Sequence, residues 1–211
     1  MAELNCAVCD KEVGLPGQRK LAGGGFICKD CEKKVSPFFE PSECTIEQYF
    51  GNIKQNEEGQ ILFDAYFNKN KKAVKLCDNH VIYDPGTALL CISGERSGIF
   101  SSREFFNVFR LADLKNYEQT SRFRRGVDGS NIQIKCMSLS FEGVPYGISS
   151  YLIAADEGDG KKLIKEFDRI LGRQTTEGGA PPGLTGGREE LGKKADAAIS
   201  EALKKKFDND T

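Results

Sequence analysis

Ile46, Tyr49, Phe50 and Ile53 recur at the three- and four-residue spacing of one helical face, directly behind Thr45-Ile46-Glu47-Gln48. In that tetrad Thr45 reads as the N-cap and Gln48 as the residue that reaches back to it, the reciprocal pattern of a capping box. The pattern predicts a helix that starts at Thr45, tolerates Gly51 and Gly59, continues through Leu62, Phe63 and Tyr66, and ends before Asn68-Lys69-Asn70-Lys71-Lys72, where like charges and asparagines disfavour helix. From Ala73 the texture changes. Short runs rich in β-branched and aromatic residues cover Ala73–Cys77, His80–Tyr83, Ala88–Ser93, Phe105–Arg110, Leu114–Thr120, Asn131–Phe141 and Ile148–Ala154. Turn residues separate them, among them Asp78-Asn79, Asp84-Pro85-Gly86 and the glycines from Gly126 to Gly129. Seven such strands predict a small antiparallel β-barrel or sandwich. A helix closes it, since Leu163, Ile164, Phe167, Ile170 and Leu171 share one face and Gly172 stops the run.

Beyond that helix the pattern thins. Arg173 to Gly187 holds Gly178-Gly179-Ala180-Pro181-Pro182-Gly183 and Gly186-Gly187, a composition that builds no core and reads as a flexible linker. Arg188 to Lys206 then reads as a separate amphipathic helix, with Glu189 and Glu190 at its positive end and Lys204 to Lys206 at its negative end. Leu191, Ala195, Ala198, Ile199, Ala202 and Leu203 form a narrow apolar stripe on it. Two arrangements satisfy this stripe: docking on a partner or a second copy, or packing back on the body.

The chemistry lies before the helix at Thr45. Cys6-Ala-Val-Cys9 and Cys28-Lys-Asp-Cys31 are two identically spaced thiol pairs, and a two-residue gap lets both sulfurs of a tight knuckle face one tetrahedral metal ion. Between them, Gln18–Leu21 and Gly25–Ile27 flank a turn at Ala22-Gly23-Gly24, which predicts a short hairpin. Glu32 to Val35 reads as helix until Ser36-Pro37. Knuckle, hairpin, then a thiol pair at a helix start is the order of a treble-clef finger. Four protein sulfurs leave no position for water, so the expected cofactor is one structural Zn2+ held by Cys6, Cys9, Cys28 and Cys31.

Composition narrows the rest. The 211 residues are 39% hydrophobic, enough to fill a core. A formal charge of -1 and a pI near 6.0 remove the bulk attraction to phosphate backbones, so nucleic acid is a disfavoured partner. The N-terminus shows no basic region followed by an apolar run, and no apolar segment reaches 18 residues, so the reading is a soluble, cytoplasmic protein. In that compartment paired C-x2-C motifs more often hold metal than disulfides. The alternative, a redox-active C-x2-C, needs one pair on a helix after a strand of a larger sheet, which two matched pairs in 26 residues do not suit. Of the remaining thiols, Cys44, Cys77, Cys91 and Cys136 sit in apolar or strand-like surroundings and read as small core residues. The single histidine, His80, follows Cys77 at a ligand-like interval, which raises a second site from Cys77, His80, Cys91 and Cys136. A hairpin tip at Asp78-Asn79 explains the same interval.

A C-x2-C…C-x2-C treble clef from Cys6, Cys9, Cys28 and Cys31, the Thr45-Ile46-Glu47 helix start and the run Phe109-Arg110-Leu111-Ala112-Asp113-Leu114 resemble a bacterial and phage family of uncharacterised proteins. Members carry an N-terminal zinc ribbon of unknown function, and a pleckstrin-homology-like module often follows. The resemblance covers about residues 1–171 and implies zinc binding without supplying an activity. A bent sheet capped by one helix is also the outline of a pleckstrin-homology-like domain. Relatives can carry a long glycine-rich insertion after the position of Tyr117, where this chain has only Arg122 to Ser130.

The expected α+β organisation is therefore a zinc ribbon or treble clef at 1–36, a linking helix at 37–72, a pleckstrin-homology-like β-domain at 73–172, a flexible linker at 173–187 and a C-terminal amphipathic helix at 188–211. No Walker-type glycine loop and no HExxH occurs, and spacing pairs none of Asp64, Asp84, Asp113 and Asp156. The reading is a non-enzymatic binding or scaffold protein with an unidentified protein partner, engaged by the β-domain and the C-terminal helix, self-association through 188–206 included. The alternative is peripheral contact with anionic membrane through basic loops, Lys69, Lys71 and Lys72 in one and Arg122, Arg124 and Arg125 in the other. A weaker variant gives the same arginines to nucleic acid, with Phe123 stacking on a base.

Overall fold

The protein is described here by a computed structural model covering residues 4–14, 18–97, 102–126, 129–144, 147–172 and 186–209. Helices and strands are mixed. In chain order they are β1 (Gln18–Lys20), β2 (Phe26–Cys28), α1 (Lys29–Glu32), α2 (Ile46–Tyr66), β3 (Val74–Leu76), β4 (Val81–Asp84), β5 (Leu89–Ser97), β6 (Ser102–Arg110), β7 (Leu114–Arg125), β8 (Asn131–Phe141), β9 (Ser150–Ala154), α3 (Glu157–Ile170) and α4 (Gly186–Asn209). The expected linker at 173–187 lies outside the described residues except for its last two.

The chain forms two compact units, one from Met1–Gln60, Ser93–Asn107 and Val144–Ile148, the other from Ile61–Ile92, Val108–Gly143 and Ser149–Thr211. In the first, α2 begins as its sequence requires: the Thr45 N–H donates to Gln48 Oε1 at 2.9 Å and the Gln48 N–H to Thr45 Oγ1 at 3.4 Å. Its inward face is unexpectedly polar. Tyr49, Asn52, Asn56 and Gly59 are all buried, and the two asparagines form a ladder. Asn52 Oδ1 accepts from the Ser36 N–H at 2.9 Å, Asn56 Nδ2 donates to the Lys34 carbonyl and to Asn52 Oδ1, and Asn107 Nδ2 donates to Asn56 Oδ1 at 2.7 Å. Gln55 adds a clasp to Ile148 through its amide and carbonyl at 3.1 and 3.0 Å. Buried amides of this kind are tolerable only when their partners are present. Asn56→Ala should therefore destabilise the protein by about 2–3 kcal/mol in urea titration, because it removes three hydrogen bonds at once, including the one donated by buried Asn107.

In the second unit α3 has the expected amphipathic face. Asp156 caps it by accepting from the Asp159 N–H at 2.7 Å, Leu163 and Phe167 are fully buried, and Leu171 closes the face beside Gly172, which has a φ of 64°. Phe167 packs edge-on to Tyr117, whose hydroxyl donates to Asp168 at 2.5 Å. Phe109 of β6 stacks on Phe141 of β8 with centroids 4.0 Å apart, and Tyr151 of β9 meets both edge-on.

All seven predicted strands form, but they do not close into a barrel. Strands β3-β4-β5-β6 make one four-stranded sheet and β7-β8-β9 a separate three-stranded one. The break falls where a short 3-10 turn, Leu111–Asp113, separates β6 from β7. Arg110 grips Asp113 with two bonds of 2.7 Å, and the Leu111 N–H donates to the Ala88 carbonyl. This bidentate clamp turns the chain through a corner, so β7 starts a new sheet instead of pairing beside β6.

Candidate metal centre

The thiol of Cys6 opens a knuckle in which the Asp10 N–H returns to the Cys6 carbonyl at 2.9 Å. Asp10 takes a φ of 57° there, a left-handed conformation that short polar side chains accept more readily than most. The knuckle is attached to the hairpin by the Ala7 N–H, which donates to the Phe26 carbonyl at 2.8 Å. Strands β1 and β2 pair in the register Gln18 to Cys28, across a turn in which Gly24 and Gly25 have φ of 91° and 82°. Cys28 ends β2 and is at the same time the N-cap of α1, its sulfur accepting from the Cys31 N–H at 3.4 Å. Helix α1 starts within the second thiol pair and ends at Glu32, short of Val35, because the chain already turns at Lys33. An ion pair of 3.2 Å between Arg19 and Glu32 joins hairpin to helix.

These elements bring the four sulfurs of Cys6, Cys9, Cys28 and Cys31 within 4.8 Å of one another. The Cys9 and Cys28 sulfurs are 3.8 Å apart. Four ligands at the Zn–S distance of ~2.3 Å define a tetrahedron with an edge of about 3.8 Å, whereas a disulfide would require sulfurs ~2 Å apart. All eight cysteines are free thiols. The donor set therefore fits a metal ion. Cys6 and Cys31 are buried and Cys9 and Cys28 half-buried, so the second pair faces outward from the first.

The electrostatics of the cluster are compatible with a bound cation. Burial raises the Cys6 thiol, but hydrogen bonds from backbone amides, those of Cys28, Val8 and Cys9, outweigh it and bring the group down to about 6. The Cys28 N–H to Cys6 Sγ distance is 3.3 Å. Cys31 moves the opposite way, raised by burial and by the neighbouring sulfurs of Cys9, Cys28 and Cys6. One site thus favours a thiolate and another resists a further one, the expected conflict among like charges that a bound divalent cation resolves.

Behind the sulfurs lies a residue that sequence patterning placed only on an apolar face. Tyr49 is fully buried, packs edge-on to Phe39, and donates its hydroxyl to the backbone carbonyl of Cys31. Burial and the cysteine cluster push the phenol well above its ordinary value, so it remains a donor at neutral pH. Tyr49→Phe should lower stability by about 1–2 kcal/mol, read as a shifted urea midpoint, while leaving the bound metal per chain unchanged. The signal for Tyr49 was its place in the first turn of α2 with Asn52 and Asn56 on the same face, but only the fold joins it to Cys31.

Elsewhere the expected sites separate. Among the described residues the four-cysteine group is the sole cluster of three or more potential metal ligands, and Cys77, His80, Cys91 and Cys136 do not gather. Cys77 begins a turn through Asp78 and Asn79, all three with φ between 49° and 68°, and His80 is exposed beyond it. Burial, chiefly, raises the Cys77 thiol to about 11 and that of Cys91 further still. Cys136 is fully buried in β8. Lys69, Lys71 and Lys72 lie in the turn after α2, where Asn70 ties the chain to Asp84 at 2.9 Å. Arg122, Arg124 and Arg125 are not in a loop: β7 extends to Arg125, paired with Asn131. The stripe on α4 has the packed arrangement, with Ala195, Ala198 and Ala202 buried within the second unit. Tyr66 donates to the Ala198 carbonyl at 2.9 Å, Arg188 to that of Leu114 at 2.7 Å, and Arg110 pairs with Asp196 at 3.0 Å.

Residues 5–55 match the model of a domain of unknown function, DUF4428. The match takes in all four clustered thiols, Tyr49 and the first half of α2. Neither a curated protein nor a solved structure matches the chain. No helix among the described residues is long and apolar enough to cross a membrane.

Proposed function

We propose that the chain is a zinc-stabilised, non-enzymatic binding protein whose N-terminal treble clef acts as a structural rivet and whose sheets present the recognition surface. The observation that carries this reading is the sulfur geometry: four thiols within 4.8 Å, one pair at 3.8 Å, with amides directed at the sulfurs. An all-sulfur shell leaves the ion no open position for water or substrate, which favours a structural over a catalytic role. The order of knuckle, β1–β2 hairpin and α1 supports the treble clef. A four-stranded meander, a three-stranded meander and then α3 supports a pleckstrin-homology-like β-domain.

The partner-binding role is assigned to the β-domain. Self-association through 188–206 would require α4 to give up its bonds to Tyr66, Arg110 and Leu114 and to expose its buried alanines. Metal analysis of purified protein tests the rivet: one zinc per chain is the expected result, and protein that folds normally with no zinc would overturn it. Pull-down with the Cys31→Ser variant beside wild type tests the division of labour, since partner capture by the sheets should outlast loss of the finger.

A further inference from the structure

We propose that the far end of the β7–β8 hairpin is an attachment surface for an anionic lipid bilayer. The two strands stay in register to Arg125 and Asn131. Because side chains alternate across a ribbon and cross-strand partners share a face, Arg122 and Arg124 lie on one face beside Ile134 and Ile132, while Phe123 and Arg125 lie on the other beside Gln133 and Asn131. Phe123 is 71% exposed and Ile132 51%. The ribbon end therefore carries an apolar side chain on each face with guanidinium groups around both.

The arginines here differ from the other arginines whose side chains are described. Arg19 pairs with Glu32, Arg103 lies over the Phe105 ring, Arg110 holds Asp113 and Asp196, Arg169 holds Glu166, and Arg188 donates to the Leu114 carbonyl. Arg122, Arg124 and Arg125 have no ion pair or side-chain hydrogen bond among the described residues. Three cations with no counter-charge among the described residues suit an anionic partner. An interfacial bilayer accepts Phe and Ile at the boundary of the acyl chains while the guanidinium groups meet headgroup phosphates. A nucleic acid would use the phenyl ring for stacking but gains little from Ile132, and the net charge of -1 offers no wider basic surface to follow a phosphate backbone. Both faces of the ribbon are open at this end, so it reads surface charge and not one enclosed headgroup. This surface is separate from the zinc reading and does not depend on it.

The test is co-sedimentation of the full chain with phosphatidylcholine vesicles, with and without phosphatidylglycerol. Three cations should favour the anionic vesicles on the order of a hundredfold, and added salt should erase the preference. The triple variant Arg122→Gln, Arg124→Gln, Arg125→Gln should lose that preference, and Phe123→Ser should weaken binding several-fold with the charge intact. Both variants must keep the wild-type circular dichroism and melting temperature, which exposed positions permit. Lys69→Gln with Lys71→Gln and Lys72→Gln should bind like wild type, and free glycerophosphate should not compete. Absent or charge-independent vesicle binding would overturn the proposal, as would binding indifferent to the hairpin variants. Hairpin-dependent binding to a single-stranded oligonucleotide without vesicle binding would replace it, and competition by glycerophosphate would point to a headgroup pocket instead.

Discussion

Removing the metal with a strong chelator, or replacing Cys31 by Ser, should unfold the finger while the β7–β9 sheet persists. The buried part of the apolar cluster beneath the finger is Cys6, Val13, Leu21, Ile27, Cys31, Val35, Phe39 and Tyr49, and two of these eight belong to the thiol cluster. So small a cluster cannot offset the conformational entropy of ordering the knuckle, hairpin and α1. A structural zinc contributes on the order of 10 kcal/mol at neutral pH, so on the proposed reading it would be the dominant favourable term. Hydrogen exchange should show amides across residues 4–36 losing protection after chelation, with those of β7, β8 and β9 unchanged. Because protons compete with metal for thiolates, less chelator should suffice as pH falls. Full protection of 4–36 in metal-free protein would remove the rivet from the account.

The second large effect comes from a single methyl group. A Cβ at Gly59 would stand 1.7 Å from the Phe106 carbonyl oxygen, a backbone atom that cannot rotate away. Helix propensity alone favours Ala over Gly by about 1 kcal/mol. The clash must exceed this, since α2 or β6 has to shift and the Asn56 to Asn107 hydrogen bond, three residues away on α2, shifts with it. Gly59→Ala should therefore cost about 3 kcal/mol or more, beyond the ordinary range for overpacking. Gly192 in α4 provides the contrast. Its nearest contact would be Ala112 Cβ at 3.7 Å, ordinary van der Waals distance, so Gly192→Ala should stabilise by up to about 1 kcal/mol. Opposite shifts in urea midpoint check both; a neutral Gly59→Ala would mean that α2 does not pack as described.

Much of this architecture was readable from residue order because its causes are local. The capping box at Thr45 and Gln48, the seven strands between Val74 and Ala154, the hydrophobic face of α3 and the glycine beyond it depend on periodicity and turn chemistry within a few residues. The misreadings have a common origin. A barrel was expected because seven short strands in sequence look alike whether or not the last pairs with the first, and the Arg110–Asp113 clamp that splits them resembles any surface ion pair until its geometry is known. Residues 122–125 looked like loop because arginines flank a glycine-rich turn, yet cross-strand pairing with Asn131 to Ile134 extends β7 to its last arginine.

The C-x2-C spacing singled out, without coordinates, the four thiols that the structure brings within 4.8 Å of one another, since a two-residue gap brings both sulfurs of a knuckle to one side. Tertiary structure alone decided which groups support them. Tyr49 reaches the Cys31 carbonyl and Asn107 reaches Asn56 across 18 and 51 residues of chain, and no local rule governs contacts at that separation. The fate of the α4 stripe was likewise beyond periodicity, because an alanine face is equally suited to its own body and to a stranger, and the choice rests on a complementary seat formed by distant segments.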